Sequence, residues 1–177
     1  MPISLNGKTG SSPMADFLTD HDGRCQLIDA EFFSVCDTDE RSPACIGECD
    51  FDRGCRVSNP QRRALVFRPV DRALYSNADS CRCDALLRTE DMSQFFFIEL
   101  KDWNAPGWYK HGVEQVAATI DDFNAAHPGV LMSARKRAAY VVNIRRKGFS
   151  RAHSEIMRNF VRSYHVVLRE TQPVLIG

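Results

Sequence analysis

The chain lacks any run of about 18 apolar residues, which excludes a membrane-spanning helix. Its first residues, Met1 to Lys8, lack the apolar core of a secretory leader, so a cytoplasmic protein is expected. Gly7-Lys8-Thr9 lacks the earlier glycine that a phosphate-binding loop needs five residues before its Gly-Lys pair. Pro2 stands there, and that reading is rejected. No internal repeat is present. Net charge is also absent, because 23 Lys and Arg balance 23 Asp and Glu. What remains is 177 residues with 44% apolar content, expected to form one domain with a real core.

The charges are unevenly spread. Asp16 to Asp52 holds about eleven acidic residues, and Arg135 to Arg162 about nine basic ones against Glu155 alone. Such asymmetry suggests a basic surface for a polyanion, or else two solvated runs that partly neutralise each other. Seven cysteines are many for a cytosolic domain. Cys36, Cys45, Cys49 and Cys55 fall in one polar stretch, 36–60, which reads as irregular. They could hold a structural Zn²⁺ or an iron–sulfur cluster, or be free buried thiols.

Phe95-Phe96-Phe97-Ile98-Glu99-Leu100-Lys101 is the segment around which the rest is organised. Five consecutive apolar residues predict a strand buried on both faces. It ends in charges, and Glu99 and Lys101, two apart, share a face. Cys83 to Arg88 predicts a partner strand, with a polar turn over 89–94. An antiparallel hairpin about Asp91-Met92 sets Leu86 opposite Phe97, Ala85 opposite Ile98 and Asp84 opposite Glu99. Two carboxylates so placed repel unless a proton or cation lies between them, and a divalent metal resolves this.

Around this hairpin, residues 1–14 read as mobile and 14–33 as holding a short helix. A strand begins at Ala64, with Pro69 marking an edge or a break. Residues 102–111 read as a loop whose aromatics lid the core or stack on bases. A helix follows through Val113, Val116, Ile120 and Phe123, and stops at His127-Pro128-Gly129. Ala138 to Ile144 is a buried strand. Ser150 is read as the cap of a helix through Ile156 and Phe160, and two short strands end the chain. The class expected is α/β or α+β, with a mixed sheet flanked by helices.

Asp84, then Glu99-Leu100-Lys101 on the next strand of a hairpin, then a helix bearing Gln115, resembles the PD-(D/E)xK nuclease superfamily over about residues 64–144. The wider pattern of Asn59-Pro60, Val70-Asp71 and Cys83-Asp84 looks like small bacterial and phage members, some from defence systems. The resemblance implies a restriction-endonuclease-like fold. It also implies Mg²⁺ (or Mn²⁺) held by Asp84, Glu99 and the Leu100 carbonyl. Lys101 would activate water and offset developing charge. Gln115 resembles the glutamine of RecB-like nucleases, although Thr119 stands where they have tyrosine. An extra acidic ligand is expected at Glu31 or Glu48. Arg145, Arg146, Lys147 and Arg151 are expected to hold a nucleic-acid backbone, most simply DNA, whose two strands a homodimer would cut most simply. Two other readings stay open: an inactive binding subunit on the same fold, and an interaction protein stapled by metal at the cysteines. Glu99 and Lys101 could also be surface ions paired with Arg82 or Asp102.

Overall fold

The computed structural model describes residues 15–37, 41–47, 53–75, 81–102, 105–145 and 150–177. In chain order these form β1 (Gln26–Ile28), β2 (Phe32–Cys36), β3 (Cys45–Gly47), β4 (Gly54–Ser58), β5 (Leu65–Pro69), β6 (Ala85–Thr89) and β7 (Gln94–Lys101). Then come α1 (Trp108–Ala126), α2 (Val130–Ser133), β8 (Lys136–Asn143), α3 (Ser154–Tyr164), β9 (Val167–Arg169) and β10 (Val174–Leu175). The result is a mixed α+β fold.

Six strands make the central sheet in the order β1-β5-β6-β7-β8-β9. The β1, β5, β6 and β7 pairings are antiparallel, and β7-β8-β9 are parallel. The parallel pairs require crossovers, and α1 and α3 supply them. Every residue of β7 is buried, as its unbroken apolar run requires. One face, through Leu86, Phe95, Phe97 and Val141, packs on α1 and α3. Phe123 of α1 meets the Phe95 and Phe97 rings edge-on at 5.5 and 5.8 Å. The other face, through Phe67, Leu87, Phe96, Ile98 and Tyr140, packs on Val35, Cys55 and Val57. Those last three belong to a second sheet, β10-β4-β2-β3.

The hairpin has the expected register, Ala85 opposite Ile98 and Leu86 opposite Phe97. Its turn is fixed by side chains: Ser93 N–H donates to Asp91 Oδ1 at 3.0 Å and Gln94 N–H to Thr89 Oγ1 at 3.0 Å. Met92 takes the positive φ of 56° that this turn needs.

Four expectations are corrected. No helix forms over the described part of 14–33. Asp16 Oδ1 takes the Leu18 N–H at 3.0 Å, and Asp20 Oδ1 takes those of Arg24 and Cys25 at 2.8 and 3.0 Å. These short carboxylates satisfy the backbone locally and compete with helical bonds. The cysteine-rich stretch is not irregular where described. Cys36, Cys45 and Cys55 sit in β2, β3 and β4. Helix α1 begins at Trp108, earlier than expected, because Gly107 turns the chain at φ 89°. Trp108 and Tyr109 are buried in the core against α3. Ser150 makes no side-chain cap, and a 3₁₀ turn, Arg151–His153, separates it from α3. Pro69 does end β5, but β5 is interior, paired with β1 and β6.

Candidate active site

The end of β7 carries the charges. The strand pairing ends at Ala85 and Ile98, and Asp84, the residue before it, lies close enough for its charge to act on Glu99. Asp84 Oδ2 accepts the Leu100 N–H at 2.6 Å. Glu99 follows Phe97 on the α1 face and is 1% exposed. Lys101, on the same face and also buried, brings Nζ to 2.5 Å from Glu99 Oε1. Neither Arg82 nor Asp102 joins this pair: Arg82 Nε binds Asp122 at 2.7 Å, and Asp102 binds Arg145.

Helix α1 closes the cluster. Gln115 Oε1 accepts from Lys101 Nζ, and its Nε2 donates to the Arg82 carbonyl at 3.0 Å. One turn on, Thr119 Oγ1 accepts the Cys83 N–H at 2.8 Å and donates to the Gln115 carbonyl at 2.9 Å. Thr119 therefore ties the helix to the strand bearing Asp84. The helix can approach this closely because position 112 is glycine. A Cβ there would overlap Val141 Cγ1 and come within 3.4 Å of Glu99 Cγ and Lys101 Cε.

The electrostatics set this cluster apart. Burial pushes the Asp84 carboxyl up to about 7, against the Leu100 N–H, and the charges of Asp37 and Asp71 add to the rise. Burial, then the Asp84 charge, raises Glu99 well above the carboxylate range despite Lys101. Glu99 Oε2 is buried with no hydrogen-bond partner. A buried carboxylate oxygen left unpaired costs free energy that a proton or a cation would recover. Two mutually repelling carboxylates with an orphaned oxygen are a donor set suited to a hard divalent cation such as Mg²⁺.

Asp37 and Asp71 were missed as neighbours of Asp84. Asp71 was legible only as an acid ending an apolar run, and Asp37 gave no signal because its strand was not anticipated. The expected extra ligand Glu31 is exposed at the opposite end of β2 from Asp37, and Glu48 lies outside the described residues. Among the described residues, no three His, Cys, Asp or Glu side chains are grouped to hold a metal.

Of the basic residues, Arg145 follows β8 at the same end of the sheet and donates to Asp102 through Nε and Nη2. Arg151 is exposed in the turn before α3, while Arg146 and Lys147 lie outside the described residues. The cysteines form no common centre where described. Cys36 is in a disulfide, and burial pushes the Cys55 thiol up to about 12. Cys45 lies across from Cys36 in the β2-β3 pairing, and Cys49 is outside the described residues. A disulfided Cys36 offers no thiolate to zinc. No described helix is long and apolar enough to cross a membrane.

No family model matches the chain, and neither a curated protein nor a solved structure matches it.

Proposed function

We propose that the protein is a metal-dependent nuclease of the PD-(D/E)xK kind, hydrolysing phosphodiester bonds in nucleic acid, most simply DNA. One observation carries the reading. Asp84, half-buried, and Glu99, fully buried, both have raised proton affinity, one Glu99 oxygen has no partner, and an ammonium stands beside Glu99. The arrangement of an antiparallel hairpin, a helix packed on its acidic face and a following parallel strand also supports it.

In this reading Asp84, Glu99 and the Leu100 carbonyl would hold Mg²⁺ or Mn²⁺. The bound ion would supply Lewis acidity at the phosphoryl oxygen and a water acidic enough to attack at neutral pH. The chain's own residues do the rest. Lys101 places a positive charge where negative charge develops on phosphorus, in a site from which water is largely excluded. Gln115 holds that ammonium in place through a bond whose far end is anchored on the Arg82 carbonyl. Gly112 lets α1 seal the site from above. Arg145 and Arg151, with Arg146 and Lys147, supply phosphate contacts that position a strand without reading its sequence.

The test is cleavage of DNA with Mg²⁺ or Mn²⁺ by wild type, Glu99→Ala and Lys101→Ala. Both variants should lose cleavage by at least ~100-fold, the scale of losing one transition-state charge partner, while keeping a cooperative thermal transition. Wild-type rates in both variants would refute the assignment. The depth of Glu99 supports a second reading, a non-catalytic nucleic-acid- or protein-binding subunit on the same fold. Intact substrate after prolonged incubation of wild type with either metal would favour it.

A further inference from the structure

A second polar cluster lies at the start of α1. Tyr109, three residues before Gly112, lines a cavity of about 390 Å³ with Trp108, Lys110, Ser150, His153 and Glu170. Positions three apart on a helix are neighbours, so this cavity is one helical turn from the acidic site. Its size falls in the range of small-molecule sites, roughly 300–1,000 Å³.

The walls are aromatic and their polar groups are incompletely bonded. The Tyr109 and His153 rings stack at 4.0 Å with 8° between planes, and Trp108 meets both edge-on. Glu170, just after β9, is buried. Its Oε2 accepts the Ser150 N–H at 3.1 Å and lies 3.0 Å from His153 Nδ1. That last contact is not aligned as a hydrogen bond, since Nδ1 has no hydrogen-bond partner. Both contacts fall on Oε2. The Tyr109 hydroxyl is likewise buried without a partner. Buried polar atoms are nearly always satisfied, so these two, the Tyr109 hydroxyl and His153 Nδ1, point to a ligand that completes them. The carboxylate asks for a donor, the phenol can donate to an acceptor beside it, and the aromatic walls favour a flat ring. Lys110, exposed at the rim, suits a phosphate.

We propose that this cavity accepts an unstacked nucleobase of the substrate strand whose edge sets an amino group beside a ring nitrogen, as adenine and cytosine do. The amino group would donate to Glu170, and the Tyr109 hydroxyl would donate to the ring nitrogen. Uracil and thymine present carbonyl oxygens at the amino position, which the carboxylate repels. The inference rests on the nuclease reading for the source of the base, but its binding step needs neither metal nor cleavage.

The experiment is a calorimetric and NMR titration in EDTA with AMP, CMP and UMP, and with short dA, dC and dT oligonucleotides. AMP, CMP, dA and dC should perturb the Tyr109 and His153 signals, and UMP and dT should bind about tenfold more weakly. Tyr109→Phe and Glu170→Gln should each remove that preference. Equal affinity for all bases, no change at Tyr109 and His153, or wild-type preference in both cavity variants would overturn the proposal. A preference among mononucleotides but not oligonucleotides would overturn the substrate-strand assignment. Base-selective binding by a wild-type protein that never cleaves would sink the nuclease reading and leave the cavity standing. Cleavage without base selectivity would do the reverse.

Discussion

Arg68 on β5 and Glu99 on β7 are charged side chains buried in the same sheet, 3% and 1% exposed. The pairing Arg68–Leu86–Phe97 puts them on the same face. Around Arg68 the chain supplies more negative charge than the cation needs. Asp22 pairs with it, Asp20 lies 3.5 Å away, and the Asp16 carbonyl accepts at 3.4 Å. Burial alone would raise Asp22, but the bond and charge of Arg68 more than offset it, and its carboxyl titrates low. Asp16 behaves likewise, held at about 2 by the Leu18 and Thr19 N–H groups. Around Glu99 the balance is reversed. One ammonium faces two carboxylates, burial wins, and both titrate high. The first cluster fastens the 15–25 segment onto the sheet. Among the described residues the second cluster has less positive charge than its carboxylates, an imbalance enriched at functional sites.

The difference should be largest in stability. Arg68→Ala strands Asp20 and Asp22, though both are partly exposed, and should cost about 3 kcal/mol, the low end for breaking a buried pair. Denaturant titration measures it. Cleavage by the folded fraction should stay at wild-type level, and a loss matching that of Lys101→Ala would erase the distinction between the clusters.

A smaller effect is expected in the pH dependence, where the clusters have opposite signs. Asp84 and Glu99 hold protons in the folded chain that the unfolded chain releases. Their contribution is fully present below pH ~4 and is lost as pH rises, for Asp84 through about 7, with Glu99 shifted in the same direction. Asp16 and Asp22 titrate low when folded, so theirs is present above pH ~4 and lost as pH falls, for Asp16 through about 2, with Asp22 shifted in the same direction. In metal-free thermal scans, Asp84→Asn should flatten the limb between pH 4 and 7, and Asp22→Asn should soften the acid limb. An unchanged upper limb in Asp84→Asn would mean that this carboxyl ionises normally.

The hairpin register was legible because the apolar run Phe95 to Ile98 suits a strand buried on both faces, and a strand's period of two then puts Glu99 and Lys101 on one face. Gln115 entered only through the family resemblance. Asp37 was not legible, because β2 and β4 are five-residue strands whose apolar positions are spread among charges and cysteines. The segment around Asp16 was misread as helix because its apolar spacing suits one, while its aspartates bond the backbone in turns. The His153–Glu170 contact carried no signal at all. Seventeen positions of chain, including α3, separate the two, and only the return of β9 beside β8 brings them together.

The account turns on whether Asp84 and Glu99 share an ion, and the most direct measurement is anomalous diffraction from crystals soaked in Mn²⁺ at pH 8, above the raised titration of Asp84 at about 7. A single Mn²⁺ peak within about 2.0–2.4 Å of an oxygen from each carboxylate, absent in Glu99→Gln, is the predicted result. Crystals that diffract well yet show no Mn²⁺ there, with Lys101 still bound to Glu99, would contradict it.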